Sequence, residues 1–265
     1  MQDNFTFEGR HILRDMGCEY YANDPRPLSP AARRNEYQIG GRSGTVIYPG
    51  GIYQPITQSG MIVSRDDGAD GETAQARLLR VADWLRSPAN GRGTLIFDSR
   101  PDVYRQAQID AASALSYSKW PAGALNVTWT MQPIARALAE STQSAAVSGR
   151  MAALVLLHAT QLPAPLTIDV LNAGKSVMTA CEIAIGDARI RLGGMALASG
   201  ERLRVSGEES QAGVAIWDAQ GKMRDAACHV TAWADPVSLP GERLTITQEG
   251  AEQAAVTVTV RGCYL

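Results

Sequence analysis

Ala124-Leu125-Asn126-Val127-Thr128-Trp129-Thr130-Met131 is the stretch whose reading decides the fold of the first half of this chain. Leu125, Val127, Trp129 and Met131 share one face, and Asn126, Thr128 and Thr130 share the other. Successive side chains of an extended chain point to opposite faces, so this strict alternation predicts a half-buried strand. Earlier in the chain, Thr45–Tyr48, Met61–Ser64 and Thr94–Phe97 are shorter strand candidates. Val103–Ile109 alternates too, with Val103, Arg105, Ala107 and Ile109 on one face.

One segment breaks the pattern. Ala74, Leu78, Val81, Ala82 and Leu85 recur at helical spacing and form a single stripe. Asp70 and Glu72 lie at its positive end, and Ser87-Pro88 with Asn90-Gly91 stops it. A lone amphipathic helix among strands must lie on a sheet face to bury its stripe.

After Trp129 the strand closes at Pro133. Residues 135–150 are rich in Ala, Ser and Gln without a wide apolar stripe, which predicts a surface connection between domains. The second half reads as all-β. Strands are expected at Met151–Leu157, Leu166–Val170, Cys181–Ile185, Arg189–Leu192, Leu203–Val205, Val214–Trp217, Leu244–Thr247 and Val256–Val260. Gly174, Gly186-Asp187, Gly193-Gly194, Gly207, Gln220-Gly221, Pro240-Gly241 and Gly250 separate them, the punctuation of an antiparallel sandwich.

Composition narrows the function. The 265 residues carry a formal net charge of −2, without the basic excess that phosphate neutralisation demands, so nucleic acid is not the expected main ligand. Only Lys119, Lys175 and Lys222 among the 25 basic residues are lysines. Arginine suits planar interface contacts, although the codon usage of a GC-rich genome is the favoured explanation and leaves the bias only a hint. Cys18, Cys181, Cys228 and Cys263 show no close pairing and are expected as reduced, mostly buried thiols. The opening residues lack an apolar core behind a basic start, so no signal peptide is expected, and the longest apolar run, Met151 to Leu157, is far too short to cross a bilayer. Cytoplasmic synthesis without membrane insertion is expected.

Catalytic motifs find no support. Asn172-Ala173-Gly174-Lys175-Ser176 ends like a Walker A loop, but Asp169 stands where the first glycine is needed, so a turn is expected. Gly40-Gly41-Arg42-Ser43-Gly44 leads into a strand and not a helix, which again predicts a turn. His11, His158 and His229 have no metal-ligand spacing. On a strand, the adjacent Cys228 and His229 would point to opposite faces, and His158 is expected as a satisfied, half-buried histidine. Asp66-Asp67, Asp70 and Glu208-Glu209 are expected as solvated loop acids. Trp217 and Trp233 are candidates for a sugar-stacking platform, with core packing as the competing explanation.

The order of features then carries a resemblance. Phe5-Thr6-Phe7-Glu8-Gly9 leads to Met16-Gly17-Cys18, a proline-rich stretch from Pro25 to Pro30, and Ile39-Gly40-Gly41-Arg42-Ser43-Gly44. A strand-like Tyr48–Ile56 segment, the helix ending Ala82-Asp83-Trp84-Leu85, Leu95-Ile96-Phe97-Asp98, Pro101-Asp102-Val103-Tyr104 and Trp129-Thr130-Met131-Gln132-Pro133 follow. Together these resemble the N-terminal domain of siphophage distal tail proteins. Pro165-Leu166-Thr167-Ile168, Leu239-Pro240-Gly241-Glu242-Arg243-Leu244 and the ending Val258-Thr259-Val260-Arg261-Gly262-Cys263-Tyr264-Leu265 resemble that family's galectin-like C-terminal sandwich. Glu242-Arg243 and Cys263 depart from its usual Glu-Asn and basic residue.

The resemblance implies a mainly β protein with an α+β N-terminal domain, a β-sandwich with one packed α-helix, over residues 1–137. A linker and first strand over 138–160 would lead to a galectin-like antiparallel β-sandwich over 161–265. It implies a non-enzymatic structural component of the virion, a homohexameric ring joining the tail tube to the baseplate. Its partners would be the tail tube protein, the hub or tip protein, the tape-measure protein and receptor-binding proteins. DNA would pass the channel without specific binding, and no cofactor or metal is implied. Two other functions compete: a carbohydrate-binding adhesin using Trp217 and Trp233 of the sandwich, and a tail-tip hydrolase. The subunit interface is not assigned to residues.

Overall fold

The computed structural model describes residues 2–23, 30–31, 35–38, 45–48, 53–64, 72–88, 91–110, 114–116, 124–208 and 213–265. Two compact units divide the chain, Met1–Leu138 together with Leu265, and Ala139–Tyr264. The first holds β1 (Phe5–Phe7), β2 (Arg10–His11), β3 (Cys18–Ala22), β4 (Asn35–Gln38), β5 (Thr45–Tyr48) and β6 (Ile56–Ser64). After these come α1 (Ala74–Arg86), β7 (Gly93–Phe97), β8 (Val103–Ile109), β9 (Ala114–Ser116), β10 (Ala124–Met131) and β11 (Ala135–Ala137). Among the described residues the strands follow the path β2-β1-β7-β8-β10-β6-β3, with β9 on β10, β11 on β8, and a separate β4–β5 hairpin. The Gly40–Gly44 turn expected between β4 and β5 lies outside the described residues, as do Asp66, Asp67, Asp70 and Glu209.

The opening stretch lies at the centre. β10 pairs with β6 along its whole length, from Ala124↔Val63 to Met131↔Ile56. Leu125, Val127, Trp129 and Met131 are all buried, as the alternation predicts. Phe5 and Phe7, the two aromatics of the Phe-x-Phe opening, pack on Trp129 with ring centroids 5.2 Å and 5.4 Å away. Trp84 of α1 stacks on Phe5 at 6.1 Å, and the edge of Tyr20 meets Phe5 at 5.4 Å. Buried aromatics of this size dominate core energetics.

α1 packs on this core, but its stripe is rotated from the one expected. Arg77, Leu78, Val81, Trp84 and Leu85 are buried, while Ala74 and Ala82 lie at the margin. A buried guanidinium must be paired. Arg77 donates to Glu72 at 3.4 Å and to the Gly17 carbonyl at 3.5 Å. Thr73 caps the helix by accepting from the Ala76 N–H at 3.2 Å.

The second unit holds β12 (Ser141–Ser148), β13 (Met151–Val155), β14 (Ala164–Asn172), β15 (Met178–Ile185), β16 (Ala188–Leu197) and β17 (Arg202–Ser206). Next come β18 (Gly213–Trp217), β19 (Met223–Asp225), a 3₁₀ turn at Ala227–His229, β20 (Val230–Ala232), β21 (Val237–Ser238), β22 (Arg243–Glu249), β23 (Gln253–Val260) and β24 (Cys263–Tyr264). The described strands form one sheet in the order β12-β23-β14-β17-β18-β19, with β21 on β14, and a second in the order β13-β22-β15-β16-β20. Each sheet buries one face. Ile168, Val170, Val256, Val258, Leu203 and Val205 do so in the first, and Ile183, Ile185, Ile190, Leu192, Leu244 and Ile246 in the second. The mainly β expectation holds throughout.

Residues 135–150 depart from the expected surface connection and form β11 and β12. β12 pairs with β23 from Ser141↔Val260 to Ser148↔Gln253. It lacked an apolar stripe because it is an edge strand of small residues, in which Val147 alone of Ser141–Val147 is buried. Cys228 and His229 lie in the 3₁₀ turn and not on a strand.

Candidate assembly surfaces

The Walker-like segment is a turn held by its own asparagine. Asn172 is buried; its amide donates to the carbonyls of Ser176 at 2.8 Å and Leu197 at 2.9 Å, and its oxygen accepts from the Gly174 N–H at 3.1 Å. The Ala173 and Gly174 N–H groups also donate to the Gln253 carbonyl at 3.1 Å and 2.9 Å, so they are committed within the fold and not free to cradle a phosphate.

The histidines are dispersed. His11 is buried, with Nε2 3.1 Å from both Asp98 carboxylate oxygens, while Nδ1 accepts from the Leu13 and Arg14 N–H groups. That arrangement pins the turn after β2. His158 is half-buried, as expected, but its two buried ring nitrogens make no close hydrogen bond, the Ser238 backbone being the polar group that acts on it. Burial lowers its pKa, opposed by the Ser238 backbone and the Glu242 charge. All four cysteines are free; Cys228 is exposed and the other three are buried. Burial pushes the Cys18 and Cys181 thiols up to about 12. Among the described residues no group of His, Cys, Asp and Glu is arranged to hold a metal ion, and no helix is long and apolar enough to cross a membrane.

An open groove of about 520 Å³ in the first unit is lined by Glu8, Arg10, Arg80, Asp83 and Trp84 among others. Arg80 is already engaged, its guanidinium 2.8 Å from the Glu72 carboxylate. Hydrogen bonding from Arg80 is the main reason the Glu72 carboxyl lies below its ordinary range.

In the second unit the two tryptophans are on different sheets. Trp217 ends β18 in the first sheet, whereas Trp233 follows β20 in the second. Arg204 lies over the Trp217 ring, its guanidinium carbon 5.8 Å from the centroid. That guanidinium grips Asp169 with two bonds of 2.8 Å and 2.9 Å, which raises the Arg204 pKa. One face of Trp217 is thus occupied within the fold. Trp233 is 43% exposed, and its indole N–H donates to Asp235 at 3.3 Å.

The surface around β13 carries no functional signal in the sequence. Met151 and Val155 are 57% and 51% exposed, and Leu157, just beyond the strand, is 68% exposed. The run is apolar on both faces, which disguises the fact that only one face is covered. Its outer neighbours on β22 are Thr247, Thr245 and Arg243, directly opposite Met151, Ala153 and Val155.

No protein-family model matches the chain, and no curated protein does either. Solved structures do. The chain is similar over 99% of its length, and over 99% of the other chain, to the crystal structure of the phage SPP1 Dit (gp 19.1) protein, with a TM-score of 0.72 and 11% identity. The fold is that of a siphophage distal tail protein. The SPP1 protein is described as a paradigm of the hub adsorption apparatus of phages that infect Gram-positive bacteria. A chain of the phage P2 baseplate in its activated conformation with Ca is similar over 99% of this chain and 98% of that one, with a TM-score of 0.49 and 10% identity.

Proposed function

We propose that the protein is a non-enzymatic structural component of a phage tail, a distal tail protein that forms a ring between the tail tube and the baseplate. The observation that carries this reading is the end-to-end match of both units to a single tail protein, at a TM-score of 0.72. Fold alone does not fix function. The further support is that the described chemistry is spent inside the fold: Asn172 holds a turn, His11 holds another, and Asp169 and Glu72 hold arginines.

In this reading six copies close a ring through head-to-tail contacts of the N-terminal unit. The second unit serves peripheral contacts with hub, tape-measure or receptor-binding proteins. A formal net charge of −2 suits a channel through which DNA slides without being gripped. The protein would be synthesised in the host cytoplasm and carried in the virion. Co-expression with the tail tube protein of the same genome tests the reading. The chain should cap one end of each tube in electron micrographs, and a chain that never associates with tubes contradicts it.

A second reading, a carbohydrate-binding surface on the sandwich, is favoured by the exposed Trp233 beside Asp235. It predicts glycan-array binding that Trp233→Ala abolishes and that Trp217→Ala affects less, because Arg204 already covers one face of Trp217.

A further inference from the structure

Eight arginines belong to the second unit: Arg150, Arg189, Arg191, Arg202, Arg204, Arg224, Arg243 and Arg261. Six have carboxylate partners, in Glu182, Asp169, Glu201 and Glu140. Arg150 and Arg243 have none among the described residues, and both are exposed. These two flank the same feature. Arg150 immediately precedes β13, and Arg243 stands opposite Val155 at its other end.

β13 is the edge strand of its sheet. The Leu156 N–H donates to the Glu242 carbonyl at 2.9 Å, and the Arg150 carbonyl accepts from Gln248 at 2.9 Å, so even-numbered residues bond inward to β22. By alternation, Met151, Ala153, Val155 and Leu157 turn their N–H and C=O groups outward. Gln143 confirms the direction. Its side-chain amide donates to the Val155 carbonyl at 3.2 Å and accepts from the Leu157 N–H at 2.8 Å, as one peptide unit of a neighbouring strand would. The outward groups of Met151 and Ala153 meet no such partner among the described residues. Natural edges are guarded by short strands, charged side chains, proline or a bulge; the five residues of β13 hold no charge, proline or bulge of their own.

We propose that the β13 edge receives an extended segment of another protein, apolar at alternate positions and acidic at its ends. The segment adds as a strand along Met151–Ala153, up to the point where Gln143 and Ser141 of β12 already hold the Val155 and Leu157 groups. The exposed Met151 and Val155 side chains meet its apolar residues. Its carboxylates answer Arg150 and Arg243, two guanidiniums that nothing described in this chain neutralises. This deepens the proposed function and rests on it only for the source of the segment, another tail component.

The test uses the full chain and two fluorescent nine-residue peptides of alternating valine and threonine, one with aspartate at both ends and one with lysine. The aspartate peptide should bind in fluorescence anisotropy at least tenfold more tightly than the lysine peptide. Arg150→Glu with Arg243→Glu should reverse that preference, and Ala153→Pro, which removes one outward N–H, should weaken the aspartate peptide at least tenfold. Unchanged thermal melting of the charge variant shows that it folds. Equal binding of both peptides, no binding of either, or indifference to the variants overturns the proposal. So does self-association of the chain that Ala153→Pro abolishes, since a second copy would then be the occupant. Ring formation without peptide binding removes the docking edge and leaves the ring; peptide binding without ring formation does the opposite.

Discussion

Tyr20 and Phe7 each lie across a glycine of a nearby strand. A Cβ at Gly60 would overlap the Tyr20 ring, and one at Gly93 would overlap the Phe7 ring. These glycines leave room for aromatic side chains to cross the sheet, a use that their isolated positions in the sequence do not announce. Gly60→Ala should destabilise the protein by about 1–3 kcal/mol in urea unfolding, with the cost largely relieved in a Tyr20→Ala background. An additive pair of effects would contradict this packing. His158 supplies a pH dependence. Its folded pKa is lowered from 6.5, so the neutral form favours folding. Its contribution is complete above about pH 6.5 and is lost as the pH falls through the lowered folded value. Urea midpoints should therefore drop between pH 7.5 and pH 5, and His158→Gln should reduce the drop. Residue by residue, the buried alternation of Leu125 to Met131 was legible, but the pairing of Arg77 with Glu72 was not, because a charged residue reads as solvent-facing until its partners are known.

At the scale of elements, strongly periodic segments declared themselves. The helix end at Ser87 and the strand pairing through Val103–Ile109 follow from local chemistry that tertiary contacts reinforce. β12 was invisible for a physical reason: an edge strand of serine and alanine buries too little to need a stripe, and its pairing with β23 is fixed from the partner's side. The Asn172 turn was legible as a turn, yet its staple was not. Replacing Asn172 by alanine removes two donated bonds and one accepted bond from a buried site. Asn172→Ala should cost about 1–3 kcal/mol. A change of only a few tenths in the unfolding free energy would show that the turn holds without it. The β13 edge marks the opposite failure. Its apolar run predicts a strand, but only its position at the edge, between two arginines without a carboxylate partner among the described residues, marks that edge as open.

For the whole molecule, the order of short motifs carried more than any single one. It led to a fold that no family model matches and that structural similarity at 11% identity nevertheless recovers across 99% of the chain. The sandwich expected in the second half rests on glycine punctuation and short strands, and both sheets form from them. Function is less legible than fold at this scale, because a ring is made by surfaces that repeat between copies and leave no motif in one chain. The hexameric ring is the main proposal for this protein. Negative-stain electron microscopy of the purified full chain tests it most directly: sixfold rings with an open centre are the predicted result, and a strictly monomeric protein at every concentration would contradict it.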